Sequence, residues 1–173
     1  SSTLSKDNRS FMYPSVSASW VITDMLEKLD KNMPAWLTFA RVRASLAQVG
    51  NSLNPYDLYN TYSIGNDPLG NTTATTGNIL LDPNVKSELI SSKELGADVR
   101  FFNNRFGLDF TWYKSNATNQ LINLPMDPLS GYNFKKINAG DIQNKGFEFM
   151  ANAKILENYN DFNWTVQFNY SRN

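Results

Sequence analysis

Six stretches of the chain alternate singly between apolar and polar residues, the two-residue period that gives a β-sheet one greasy and one wet face. The clearest runs from Asp161 to Ser171, with Phe162, Trp164, Val166, Phe168 and Tyr170 on one side and Asn163, Thr165, Gln167 and Asn169 on the other. Before it, Gly146 to Ile155 sets Phe147, Phe149, Ala151, Ala153 and Ile155 against Glu148, Met150, Asn152 and Lys154. Upstream, Leu95, Ala97, Val99 and Phe101 alternate with Glu94, Asp98 and Arg100, and Phe106, Leu108, Phe110 and Trp112 with Asp109, Thr111 and Tyr113. A noisier pair places Ala40, Val42, Ala44 and Leu46 against Arg41, Arg43 and Ser45, and Val16, Ala18, Trp20 and Ile22 against Ser15, Ser17 and Ser19. The pattern predicts an all-β chain, an antiparallel up-and-down meander of about six strands.

Residues opposite one another in a hairpin share a face. In the last hairpin this lets Ile155 face Phe162 and leaves Leu156 to Asp161 as the turn. In the middle hairpin the apolar set switches from odd to even numbers, so an unbulged turn holds an even number of residues. A type I′ turn on Asn103-Asn104 sets Asp98 against Asp109. A four-residue turn, Asn103 to Phe106, sets Arg100 against Asp109 and Asp98 against Thr111, and the sequence leaves both open.

The connections fall into two kinds. Those after the first, third and fifth strands are short or moderate: about Thr23 to Ala35, the Asn103 turn, and Leu156 to Asp161. Those after the second and fourth are long, from about Asn51 to Ser92 and from Asn116 to Gln143. Short turns on one rim and long loops on the other is the arrangement of outer-membrane barrels, with periplasmic turns and extracellular loops. Asp24 followed by Glu27 has the form of a loose capping box, which predicts a brief helix in the first connection.

Composition changes the picture mainly by exclusion. Sixteen Lys and Arg balance sixteen Asp and Glu, so no net field draws the chain to nucleic acid. The absence of cysteine and histidine removes disulfides, thiolate nucleophiles, Ser/His triads and the common zinc sites. With no nucleophile and base constellation, the chain reads as a non-enzyme that needs no cofactor. No apolar run approaches the roughly 18 residues of a transmembrane helix, and no signal peptide is visible at Ser1. A strand-built span needs only every second residue to be apolar.

Alternation of this kind also suits half of a soluble β-sandwich. Two features point to a membrane wall instead. The aromatics Trp36, Phe101, Phe106, Phe162 and Trp164 crowd the short-turn rim like an interfacial girdle. The polar face carries Arg41, Arg43, Glu94, Arg100, Asp109, Glu148 and Lys154, which suit a hydrated lumen or contact with a plug. The competing reading is a soluble all-β carbohydrate-binding or adhesion module whose apolar faces meet. The fate of Phe110, Trp112, Phe149, Trp164, Val166 and Phe168, buried or facing outward, separates the two.

At these same segments the chain resembles the barrel of the SusC/RagA-type TonB-dependent outer-membrane transporters of Bacteroidetes. The resemblance is carried by Tyr13-Pro14-Ser15-Val16-Ser17-Ala18-Ser19-Trp20, Arg43 to Asn51, Asp82-Pro83-Asn84-Val85-Lys86-Ser87-Glu88 and Glu94-Leu95-Gly96. It continues through Asn104-Arg105-Phe106, Trp112-Tyr113, Ser130-Gly131-Tyr132, and Ile137-Asn138-Ala139-Gly140 leading into Asn144-Lys145-Gly146-Phe147-Glu148. Two departures are Arg41 in place of an expected lysine and Ser87-Glu88 without the aromatic that often precedes that glutamate.

The resemblance implies that residues 1–173 are a partial barrel domain, with no plug, signal peptide or TonB box in this chain. It implies a barrel of about 22 strands in the bacterial outer membrane, in contact with lipid and filled by a plug. It further implies energy from the TonB complex, acting through an N-terminal part, and a SusD-like lipoprotein over the extracellular mouth. The function that follows is a barrel-wall segment of a nutrient importer for glycans or oligosaccharides.

For ligand contact the long loops offer Tyr56, Tyr59 and Tyr62, close in sequence, and Tyr132, since aromatic rings stack on sugar faces; rings of this kind also serve as generic interface residues. Asp57, Asp67, Asp82 and Asp127 lack the dense spacing of a dedicated calcium site. Glu88 and Glu94 sit at a strand start without a partnered base, which makes pairing with Arg or Lys their expected role.

Overall fold

A computed structural model describes residues 3–8, 10–29, 33–159 and 161–173. In chain order the elements are β1 (Ser15–Val21), α1 (Ile22–Lys28), β2 (Leu37–Asn51), β3 (Tyr62–Asn66), β4 (Thr72–Thr76), β5 (Ile79–Leu80) and β6 (Glu88–Phe101). They continue with β7 (Phe106–Thr118), β8 (Leu121–Pro125), a 3-10 turn at Pro128–Ser130, β9 (Phe134–Asn138), β10 (Asp141–Tyr159) and β11 (Phe162–Arg172). The six expected strands form one antiparallel meander in the order β1-β2-β6-β7-β10-β11. The long connections hold two further sheets, the hairpin β3-β4 and the three-stranded β5-β9-β8.

The chain divides into two compact units. One, the wall unit, comprises Pro14–Gln48, Ser91–Asn116 and Gln143–Asn173; the other, the loop unit, comprises Ser1–Tyr13, Val49–Ile90 and Ala117–Ile142. In the wall unit β1 and β2 pair Val16 with Leu46, Ala18 with Ala44 and Trp20 with Val42 on the apolar side, and Ser17 with Ser45 and Ser19 with Arg43 on the polar side. The apolar side is exposed: Trp164 is 51% and Phe168 56% accessible, Phe110 and Val166 are exposed as well, and Trp112 and Phe149 are half-buried. A sandwich would have buried all six against a second sheet. Among the described residues the cluster of buried hydrophobics lies in the loop unit, where Leu4, Leu53 (5% accessible) and Val85 (3%) meet with Leu58 and Leu121 packed on them; in the wall unit Ala40 alone is a buried hydrophobic.

Several expectations need correction. Ile22 is not the last residue of a strand but the first of α1, and the helix starts three residues earlier than a capping box on Asp24 requires. Val21 occupies the N-cap with no side-chain bond, and Asp24 instead lies in the first turn, where its charge faces the positive helix end. Part of this connection, residues 30–32, lies outside the described residues.

The middle hairpin takes the tighter alternative. Arg105 N donates to Phe102 O at 3.2 Å, closing the turn on Asn103 and Asn104, whose φ angles are 54° and 63°; asparagine tolerates this left-handed region better than most residues.

In the last hairpin Ile155 does not face Phe162, and Leu156 to Asp161 is not all turn. Tyr159 pairs with Phe162, Leu156 with Trp164, and Ala153 with Val166, with register shifts between Lys154 and Leu156 and between Leu156 and Tyr159. Each irregularity frees a backbone group that a side chain then takes up. Arg105 Nη2 donates to Ile155 O at 3.1 Å, and Asn158 N donates to Asn163 Oδ1 at 2.8 Å. From Phe147 to Lys154 the register moves by two residues, which keeps those side chains on their expected faces, and beyond Lys154 the one-residue slip sets Leu156 opposite Trp164. Asn160, within the expected turn, lies outside the described residues.

Candidate functional site

Two clusters carry the polar chemistry, one in each unit. On the polar face of the wall unit Arg43 binds Asp109 through both terminal nitrogens, at 3.1 and 3.0 Å, and donates to Thr111 Oγ1 at 2.6 Å. Glu94 stands 3.9 Å from Arg43 Nε. Asp98, buried, lies 3.4 Å from both Arg41 and Arg100, and both guanidiniums sit over the Phe39 ring, at 5.9 and 5.1 Å from its centroid. Counted without bulges from the Asn103 turn, Asp98 and Asp109 lie opposite one another, a register that like charge disfavours. The three arginines neutralise both carboxylates. Arg43 reaches β7 because β6 presents Gly96 beneath it: a Cβ there would collide with Arg43 Nε and Cγ.

The loop unit is assembled by side chains that substitute for strand pairing. Asn138 accepts from Lys86 N at 2.7 Å and donates to Lys86 O at 2.9 Å and Asn119 O at 2.8 Å, joining the two long connections. Asn60 does the same at β5, donating to Ile79 O at 2.7 Å and accepting from Leu81 N at 2.9 Å. Glu88 accepts from Leu121 N and Asn51 Nδ2, both at 3.0 Å. Glu88 and Glu94 therefore hold neighbouring elements.

The four loop aspartates are structural too. Asp57 pairs with Lys136 at 2.6 Å. Asp67, Asp82 and Asp127 each accept, through Oδ1, the amide two residues on, at Leu69, Asn84 and Leu129, the turn-forming geometry of short acidic side chains. Asp67 also accepts from Asn71 N and Nδ2. The Asn71 amide side chain, first, and the Asn71 backbone amide hold its carboxyl below the ordinary value of 3.8.

Of the four candidate tyrosines, Tyr56 is 94% accessible in a left-handed turn at φ 69°. Tyr59 is exposed, and Tyr62 opens β3 opposite Thr76. Tyr132 is half-buried beside Ser130, whose hydroxyl donates to Tyr132 O at 3.2 Å. All four belong to the loop unit, and among the described residues no ring contact joins them. Sequence reasoning gave no role to Asn138 or Asn60; their signal is an asparagine beside a short strand, where a polar side chain can complete an edge.

A family model described as TonB dependent receptor-like, beta-barrel, matches residues 1–173. TonB-dependent receptor P3 of Formosa agariphila is 33% identical over 178 residues, which cover 100% of this chain and 17% of that protein. TonB-dependent receptor SusC of Bacteroides thetaiotaomicron is 30% identical over 185 residues, covering 100% and 18%. The chain thus spans less than a fifth of the length of these relatives. Among solved structures, the RagAB peptide importer in the 'closed-closed' state superposes with a TM-score of 0.83 at 25% identity, over 99% of this chain and 19% of that one. The siderophore receptor PirA from Pseudomonas aeruginosa shares the fold with a TM-score of 0.53 at 19% identity, over 92% and 28%.

Proposed function

Since this chain belongs to the TonB-dependent receptor-like β-barrel family, we propose that residues 1–173 supply part of the wall of an outer-membrane nutrient importer, with three periplasmic turns and two extracellular loops. The observation that carries this reading is the division of apolar surface. The loop unit has a core of its own, while the apolar side of the six-stranded sheet stands exposed along its strands, as lipid contact requires. The polar side, neutralised within itself by Arg41, Arg43 and Arg100, then faces a hydrated or plug-filled interior.

The cargo in this reading is a glycan or oligosaccharide, and a SusD-like lipoprotein closes the mouth; the 30% identity to a receptor named SusC supports both. The energy comes from the TonB complex through parts of the receptor outside these residues. Tyr56, Tyr59, Tyr62 and Tyr132 are the proposed sugar contacts, since aromatic rings that keep accessible surface can stack on the apolar faces of sugars.

The test is uptake by cells carrying the whole receptor, with labelled oligosaccharides and labelled peptides offered separately. Oligosaccharide uptake is expected, and changing all four tyrosines to serine should weaken apparent affinity about tenfold, two stacking contacts' worth. Unchanged affinity in the variant removes the tyrosine assignment. Uptake of peptides alone replaces the glycan reading.

A further inference from the structure

We propose that the outward side of the wall unit binds one phosphorylated membrane lipid, with its phosphates on a row of four cations and an acyl chain in the groove beside them. The proposal rests on the wall reading above, since it takes the apolar side as the side that meets lipid. Parity places the cations. Lys93 lies on the face of β6 that carries Leu95, Ala97 and Val99; Lys114 shares its face of β7 with Phe110 and Trp112; Lys145 shares its face of β10 with Phe147 and Phe149; Arg172 continues the Phe168 and Tyr170 face of β11.

The ladder places them side by side. Ser92 and Ser115 hydroxyls bond across β6 and β7 at 3.1 Å, so one step along, on the outward face, Lys93 stands opposite Lys114. Lys154 N donates to Arg105 O at 2.8 Å, and the ladder counted without bulges from that pair sets Lys114 opposite Lys145. Arg172 pairs with Phe147, one outward row below Lys145. Cross-strand neighbours of this kind stand roughly 5 Å apart, and like charges there repel.

Arg41, Arg43, Arg100, Lys136 and Lys154 all make ion pairs; among the described residues Lys93, Lys114, Lys145 and Arg172 make none. All four lie toward the end of the sheet where the long connections leave β6, β7 and β10. Four cations side by side at the border of an apolar face raise the local positive potential and attract an anion from outside. Phosphate oxygens suit ammonium and guanidinium groups alike.

A groove identifies the rest of the ligand. The small pair Ala18 and Ala44 forms a depression of about 280 Å³ walled by Leu46, Leu95 and Trp112, with Lys93 among its lining residues. A second hollow of about 350 Å³ shares Val16, Leu46 and Lys93 with it. Inorganic phosphate would leave this apolar space unfilled, whereas a lipid uses both features: the chain occupies the alanine groove and the headgroup meets the lysines.

The test uses the whole receptor in detergent micelles and native mass spectrometry. The probes are a purified bisphosphorylated hexa-acyl disaccharide lipid, the same lipid with its phosphates removed, and inorganic phosphate. One intact lipid should bind per barrel, removing the phosphates should weaken binding on the order of a hundredfold, and millimolar inorganic phosphate should fail to displace the lipid. The variant Lys93→Gln/Lys114→Gln/Lys145→Gln should lose the same factor, and Ala44→Leu, which fills the groove, about tenfold. Equal binding of the dephosphorylated lipid, full displacement by inorganic phosphate, or undiminished binding to a folded form of either variant overturns the proposal. The arm with dephosphorylated lipid needs no variant to fold. Spin labels at Val166 and Phe168 that report lipid contact while the lipid fails to bind would leave the wall reading intact.

Discussion

Arg43 illustrates what a single residue contributes and what a sequence conceals. Parity along the chain puts Arg43, Asp98 and Asp109 on one face, which was legible from alternation alone. Their pairing was not, because it depends on Gly96 leaving a window through which a long side chain crosses β6 to Asp109. The same holds for Asn138, which lies in a motif recognisable by resemblance but acts through a bond to Lys86, 52 residues away. Asn138→Ala removes three hydrogen bonds at an exposed site, where water replaces part of the loss. The expected cost is about 1–3 kcal/mol of local stability, seen as roughly ten- to hundredfold faster hydrogen exchange at the Lys86 amide with wall-strand amides unchanged. Equal acceleration throughout the wall strands would contradict a local clamp. For the candidate site, sequence places the four tyrosines in long loops, but their spacing gives no view of whether the rings meet, and among the described residues no ring contact joins them.

Among the elements, the central strands were legible because each carries four or five clean alternations. Their ends were not. β6 begins at Glu88 and β10 extends from Asp141 to Tyr159, beyond where apolar periodicity fades, since ladder bonds continue without an apolar face to mark them. In the last hairpin the pairing runs on to Tyr159 and Phe162 through two irregularities in β10, which nothing in a linear apolar pattern marks. The loop strands β5, β8 and β9 leave no mark in the pattern because they are two to five residues long and β5 finds its partner β9 in a different connection. The hairpin β3-β4 was missed for a related reason: it is a run of Thr, Ser and Gly closed by Asp67. The lowered carboxyl of Asp67 gives that turn a pH dependence. Its contribution is fully present above the ordinary value of 3.8 and is lost as pH falls through the lower folded value. Amide exchange at Leu69 and Asn71 should therefore be unchanged from pH 7 to 5, after correction for intrinsic rates, and Asp67→Ala should accelerate it at both. A turn that loosens between pH 7 and 5 would contradict the assignment.

At the level of the whole molecule, burial is distributed opposite to what a self-contained globule shows. The buried hydrophobic cluster Leu4, Leu53 and Val85 sits in the loop unit, while Trp20, Phe110, Trp164, Val166 and Phe168 on the main sheet are exposed. That distribution, the meander order and the family match give one account, in which the sheet is a stretch of barrel wall with lipid on its apolar side. Single cysteines for spin labelling can be introduced one at a time along β11, which has none of its own, in the whole receptor with any cysteine elsewhere changed to serine, reconstituted in lipid vesicles. The account predicts that labels at Val166 and Phe168 collide readily with oxygen dissolved in the bilayer, while labels at Gln167 and Asn169 do not, a two-residue alternation along the strand. Oxygen contact that is equal at all four positions, or greater at Gln167 and Asn169, would contradict it.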